Sequence, residues 1–218
     1  MARVVVVNEC LAKKETDFRL PEPPRPGPNG NSRRYGAVDQ GIAAEYGYHD
    51  PPHESETQPA PAPNAAQKKL LFGSDGAKGG CMAEADATLR SGDLPAQGVE
   101  AARTIDLTSF KESQTTADVK QAFAEWSECM SEKGYEYASP LESAGDKWFA
   151  ETSATAEEKQ VAQADVSCKN KVDLVSRWHK AESKIQQGMI DRHAKVLERL
   201  RTFQDGLVKR SRDILEKA

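Results

Sequence analysis

The sequence predicts a mainly α protein: a disulfide-stapled helical bundle with a long C-terminal helix and an irregular, proline-rich N-terminal segment. Three observations carry that expectation. Residues 156–218 contain no proline and repeat apolar side chains at helical spacing. Ten of the 12 prolines are confined to residues 19–66. The phrase "CLAKKETDFRLP" at residues 10–21 returns as "CMSEKGYEYASP" at residues 129–140. Cys10, Lys14, Asp17, Phe18 and Pro21 align without a gap to Cys129, Lys133, Glu136, Tyr137 and Pro140, at a constant offset of 119.

In chain order, residues 4–14 read as a short helix, although the run "VVVV" is β-branched and also suits a strand. Between residues 19 and 66 the only Val, Ile, Leu, Met or Phe are Leu20, Val38 and Ile42, too few to offset ordering, so most of this stretch is expected to be loop. Residues 50–64 are expected to be mobile for the same reason. An island within it, "RRYGAVDQGIAAEYGYHDPP", offers Asp39 as helix N-cap, Gly47 as stop, and Tyr35, Ile42, Tyr46 and Tyr48 for docking. Residues 64–73 and 79–91 read as short helices separated by a glycine-rich loop. From residue 97 the helical signal strengthens: Leu107 and Phe110, then Val119, Phe123, Trp126 and Met130, closing at Gly134. Trp126 and Phe123 are expected in the core.

Pro140 interrupts the chain, and "AGDKWFAE" gives a brief helix. Thr155 with Glu158 three residues on is a capping-box signature for the long helix 156–216. If continuous, that helix is about 90 Å long, with Gly188 and Gly206 as points of bending. Its later half carries a heptad seam of Met189, His193, Val196, Leu200, Phe203, Leu207, Arg210 and Ile214, six of the eight apolar. The chain's own helices are the expected cover for the seam, a partner helix the alternative. The outward face carries Lys195, Arg199, Arg201, Lys209, Arg210 and Arg212, a candidate partner surface. The chain thus divides into a first cysteine-motif helix at 1–21, a proline-rich segment at 22–66 and a helical domain at 67–218.

Composition narrows the class. The 218 residues are 38% hydrophobic with a mean hydropathy of −0.70 and a net charge of −4, which argues against a nucleic-acid binder. Residues 176–218 hold 11 Lys and Arg against 6 Asp and Glu, a local basic balance. No apolar run reaches the roughly 20 residues a bilayer span needs. The four cysteines form no CxxC pair, so zinc-ribbon and thioredoxin readings fail, and three pairings are open. One motif cysteine heads each repeat and one unmatched cysteine follows it; pairing within repeats gives Cys10–Cys81 and Cys129–Cys168. An oxidising compartment is the expected setting, four buried thiols in a cytosolic protein the alternative.

Catalytic constellations are missing. No phosphate loop, GxSxG or HExxH occurs. "HDPPH" has His49 and His53 around an aspartate, but no third metal ligand accompanies them, and both are expected to be solvated loop residues. His193 reads as a core histidine of the seam. Asp165, Asp173 and Glu182 form a carboxylate row of the kind any acidic helix surface carries. No catalytic residue, cofactor or metal is expected.

Together, "ECLAKKETDF", "RRYGAVDQGIAAEYGYHDPP", "AFAEWSECMSEKGYEYASPLES" and "VAQADVSCKNKVDLVSRWHKAESKIQQGMI" resemble a family of uncharacterised secreted proteins of actinobacteria, usually described as lipoproteins. The resemblance covers most of the chain outside residues 54–78. It implies export, attachment to the outer membrane face through an upstream lipidated cysteine, and no known catalytic activity. One departure stands out: Glu15 replaces the glycine kept at Gly134, which is expected to loosen the first helix stop, and membrane anchoring is an expectation that rests on the resemblance alone. The functional expectation is a non-enzymatic extracytoplasmic binding protein with a protein partner at the cell envelope. An accessory subunit of an envelope export or efflux system is the alternative, and an enzyme of unknown type the third.

Overall fold

The computed structural model describes residues 1–23, 31–52, 62–74, 79–90 and 92–218. It contains α1 (Ala2–Ala12), α2 (Gln40–Tyr46), α3 (Ala65–Phe72), α4 (Gly80–Leu89), α5 (Ala96–Ser113), α6 (Ala117–Ser131), α7 (Pro140–Ala144), α8 (Ala156–Lys171), α9 (Leu174–Arg192) and α10 (Ala194–Leu215). A one-turn 3₁₀ helix, Lys147–Ala150, follows α7. Among the described residues there is no strand. The expectation for residues 50–64 lies largely outside the described residues.

The chain forms two compact units that interleave in sequence rather than following the expected linear divisions. Unit 1 is Met1–Arg25, Glu54–Ala102 and His193–Ala218; unit 2 is Pro26–His53 and Arg103–Arg192. Each holds one disulfide, Cys10–Cys81 in unit 1 and Cys129–Cys168 in unit 2, the pairing the repeat suggested. Two disulfides are the mark of an oxidising, extracytoplasmic environment.

In unit 1, α1 packs on α4, α3 and α10. Burial decides the ambiguity of "VVVV": Val6, Val7, Cys10 and Leu11 share the inward side of a helix, with Phe18, Leu71, Cys81 and Ala85 as their neighbours. Tertiary packing here overrides the weak helix propensity of valine. The heptad seam of α10 is covered in cis: Leu200 and Phe203 are buried, Ile214 packs on the core formed by α1, α3 and α4, and α10 contacts both α1 and α4. The first turn of α5 also closes on it. A Cβ at Gly98 would stand 2.6 Å from the Val196 carbonyl oxygen, so only glycine permits this approach.

In unit 2, α6 packs on both α8 and α9, and α2 lies on α8. Trp126 is fully buried, and so is Trp178, ringed by Tyr35, Phe110 and Phe123 at centroid distances of 5.1, 5.3 and 5.0 Å. Its indole N–H donates to Ser113 Oγ at 2.8 Å, so the ring is buried without an orphaned donor. The expected helix at 39–47 is present: the Asp39 carboxylate accepts from Ile42 N, and Gly47 ends it at φ 60°. Of the expected docking residues, Tyr48 is buried and Tyr35 packs on the core, whereas Ile42 remains 38% exposed; Ala43 is buried beside them. Leu107, part of the helical spacing read from residue 97 onward, is 58% exposed. Pro140 does not merely break the chain; it starts α7, capped by Ser139, because a first-turn position needs no N–H.

The single helix expected over 156–216 is three helices. Neither Gly188 nor Gly206 breaks it. The first interruption is Val172–Asp173, where Asp173 takes φ 51°, a left-handed conformation that Asp tolerates. The turn lets α8 and α9 both pack on α6, which one straight rod could not do. The second interruption is His193, at φ −109° and ψ 13°, where the chain passes from unit 2 to unit 1.

The repeat has a shared geometry. Lys14 N and Glu15 N bond to Leu11 and Ala12 carbonyls at 3.0 and 3.2 Å; Lys133 N and Gly134 N bond to Met130 and Ser131 at 3.0 and 2.9 Å. Glu15 has φ 52° where Gly134 has φ 87°. The first helix stop is therefore not loosened by the missing glycine. The same left-handed residue is formed, at the steric cost a Cβ brings there. Asn8 and Ser127, at equivalent positions, each tie the helix to the extended chain after the stop, through Leu20 and Tyr137.

Candidate functional site

The basic residues of α10 do not behave as one set. Lys195, Arg199, Arg201, Lys209 and Arg212 are exposed. Arg210 is not on the outward face: half-buried on the seam, it donates from Nε to the carbonyl of Leu89, the last residue of α4. A cation at a helix C-terminus satisfies an orphaned carbonyl and the helix dipole together. The outward face is also less uniformly basic than expected, because Glu198, Asp205, Asp213 and Glu216 are interspersed and Arg201 lies 3.8 Å from Asp205. Arg201, Val208, Arg212 and Leu215 fall on one side by helical spacing. Val208 is 50% and Leu215 42% exposed. His193 is exposed at the α10 N-cap position and takes no part in the seam.

The carboxylates of the proposed row go to separate places. Asp173 sits at the break between helices. Glu182, one turn beyond Trp178 on α9, is 2% exposed and is the most heavily bonded acid of unit 2. Its Oε1 accepts from Arg34 Nε at 2.8 Å, from Arg34 Nη2, from Gln186 at 3.0 Å and from Ser109 at 3.3 Å; Oε2 accepts from Tyr35 at 2.8 Å. Arg34 also pairs with Asp106 at 2.8 Å and stacks on Phe110. Burial alone would raise Glu182, but the bonds from Arg34 and Tyr35 hold it below the usual carboxylate range. Burial and the same carboxylate raise Tyr35. A cleft of about 240 Å³, also lined by His179, opens beside this network. Each strong group in it is already spent on holding residues 34–35 against α5 and α9.

Asp165 belongs to a second buried network. Its Oδ2 is 2.9 Å from Lys169 Nζ and accepts from Tyr48 OH at 3.2 Å, while Oδ1 accepts from Trp126 Nε1 at 3.0 Å. Lys169 Nζ donates a second bond to Ala37 O at 2.9 Å. Burial pushes Asp165 up and Lys169 down, and each partner opposes the other's shift. A buried pair so fully bonded fixes register more than it adds stability.

Glu158 departs from its expected role. Thr155 does accept from Glu158 N, at 3.2 Å, but the Glu158 side chain does not return to the cap. It is fully buried, and its Oε1 accepts from Tyr48 N at 2.7 Å and contacts His49 Nδ1 at 2.9 Å. His49 is therefore a bonded, part-buried residue rather than a solvated one. His53 lies outside the described residues. The reciprocal box forms instead at Asn64 and Gln67. Glu182 was legible only as the residue one helical turn after Trp178, and nothing near Glu158 announces its burial.

The fold and these networks define an all-helical, disulfide-stapled protein in which the buried ionisable groups hold segments together. Among the described residues no group of three or more His, Cys, Asp or Glu could hold a metal ion, and no helix is long and apolar enough to cross a membrane. Compared with protein-family models, curated proteins and solved structures, the chain has no match.

Proposed function

We propose that this is a non-enzymatic interaction protein of an extracytoplasmic compartment, secreted or held at the outer face of the cell membrane, that engages a protein partner through the outward side of α10. One observation carries the reading. Packed on α1 and α4, α10 still presents Val208 and Leu215 to solvent beside Arg201 and Arg212. Exposed apolar side chains set among charges of both signs, Arg201 and Arg212 with Asp205, Asp213 and Glu216, have the composition of a protein-binding patch. The two disulfides and the resemblance to secreted actinobacterial lipoproteins agree with the compartment. The buried carboxylates support a non-catalytic role, since each already serves the fold.

The test is capture from cell-envelope extracts with the native chain and with Val208→Asp/Arg212→Glu. Both positions are exposed, so thermal stability should be unchanged. A discrete partner retained by the native chain and lost by the variant is expected. Equal capture by both chains would remove α10 from the reading.

A further inference from the structure

Both ring nitrogens of His49 face acceptors. Nδ1 lies 2.9 Å from the Glu158 carboxylate and Nε2 3.3 Å from the carbonyl of Glu151. A neutral imidazole carries one N–H and can serve only one of them; the imidazolium serves both. Glu158 has its own need for that charge. It is 0% exposed, and its Oε2 has no hydrogen-bond partner. The backbone of the histidine segment presses directly on this acid: a Cβ at Gly47 would come within 2.5 Å of Glu158 Oε1, and Tyr48 N donates to the same oxygen.

We propose that His49 is a proton-operated latch, which tightens the segment carrying α2 and Tyr48 on the first turn of α8 while doubly protonated and loosens it on losing a proton. Among the described residues, the charged groups around the ring include Glu158 from α8 and Arg33 from its own segment, the latter paired with Asp50 at 2.6 Å. The bond from Glu158 raises His49 above its ordinary value; burial and Arg33 oppose. A raised folded value means that the latch's stabilisation is complete at low pH and is lost as pH rises through that value. What opens is an apolar face. Ala43 and Tyr48 are buried beneath the segment against Val161 and Trp148, so each opening exposes a surface that is hidden in the closed state.

Amide hydrogen exchange on the full-length chain, read peptide by peptide while NMR follows the His49 imidazole, tests this. After correction for intrinsic rates, peptides covering residues 39–48 should lose protection as the ring deprotonates. The expected loss is about tenfold, what one charge-assisted hydrogen bond amounts to. Peptides from α1 and α4 should keep theirs. In Glu158→Gln the imidazole should titrate lower, and the opening should move with it. Constant protection across the native imidazole titration would overturn the proposal, as would an unmoved opening midpoint in Glu158→Gln. Should that variant fail to fold, the native titration alone still decides.

Discussion

Alanine in place of glycine should move stability in opposite directions at two helical positions. At Gly98 the new Cβ would meet Val196 O at 2.6 Å and Leu200 Cβ at 2.8 Å. Carbon contacts are comfortable at about 3.5–4.0 Å, so the first turn of α5 would have to withdraw from α10 by most of an ångström. The nearer obstacle is backbone, which no rotamer change moves aside. Overpacking of this kind costs about 1–3 kcal/mol, and alanine's better helix propensity returns about 1 kcal/mol. A net loss of up to about 2 kcal/mol is expected. At Gly188 the nearest atom is Arg192 Nη1 at 3.7 Å, an ordinary contact at the end of a flexible side chain. Only the propensity gain remains there, up to about 1 kcal/mol. Urea unfolding of the two variants, with hydrogen exchange of peptides covering residues 196–203, separates the cases. Gly98→Ala should lower the midpoint and loosen those peptides, and Gly188→Ala should raise it. A Gly98→Ala chain as stable as Gly188→Ala would refute the contact between α5 and α10.

Two further outcomes follow from the same packing. Leu200→Asp removes a buried apolar side chain worth about 1.5–3 kcal/mol and buries a charge, so a folded monomer should melt well below the native chain; an unchanged melting temperature beside an oligomeric parent would mean that a partner, not the chain's own helices, covers the seam. Glu182→Gln should cost about 2 kcal/mol near neutral pH, the range for hydrogen bonds to charged groups. Because the folded Glu182 value is depressed, its contribution is present above the ordinary carboxylate range and lost as pH falls through the folded value. Chemical denaturation at several pH values should therefore show the native and Gln chains converging on acidification, and a constant gap would place the effect elsewhere.

The elements legible in the sequence were those written in local chemistry. Asp39 and Gly47 bracket α2 as a cap and a left-handed stop should, and the apolar spacing of Val119, Trp126 and Met130 identified the buried side of α6. The repeat revealed the disulfides because each copy is a local unit, one helix with its stop and its staple. Tertiary decisions were not legible. Asp173 adopts a left-handed turn with neither glycine nor proline to announce it, since what forces it is the packing of α8 and α9 on α6. Arg210 looks like any surface cation until Leu89 O is brought to it. Glu182 read as a surface carboxylate and Glu158 as half of a capping box, because their partners Arg34, Tyr35 and Tyr48 come from more than a hundred residues away. Glu15 shows the reverse: a residue that argued for a weaker stop takes the conformation of the glycine it replaces.

The central claim is that each unit is closed by its own staple, Cys10–Cys81 across 71 residues and Cys129–Cys168 across 39. Loops of that size make each bond worth about 4 kcal/mol by chain entropy. Peptide mapping of the native chain without reduction tests this most directly. The account predicts two linked peptide pairs, 10 with 81 and 129 with 168, and no thiol open to alkylation in the folded protein. A peptide joining Cys81 to Cys129, or four alkylated cysteines, would contradict it.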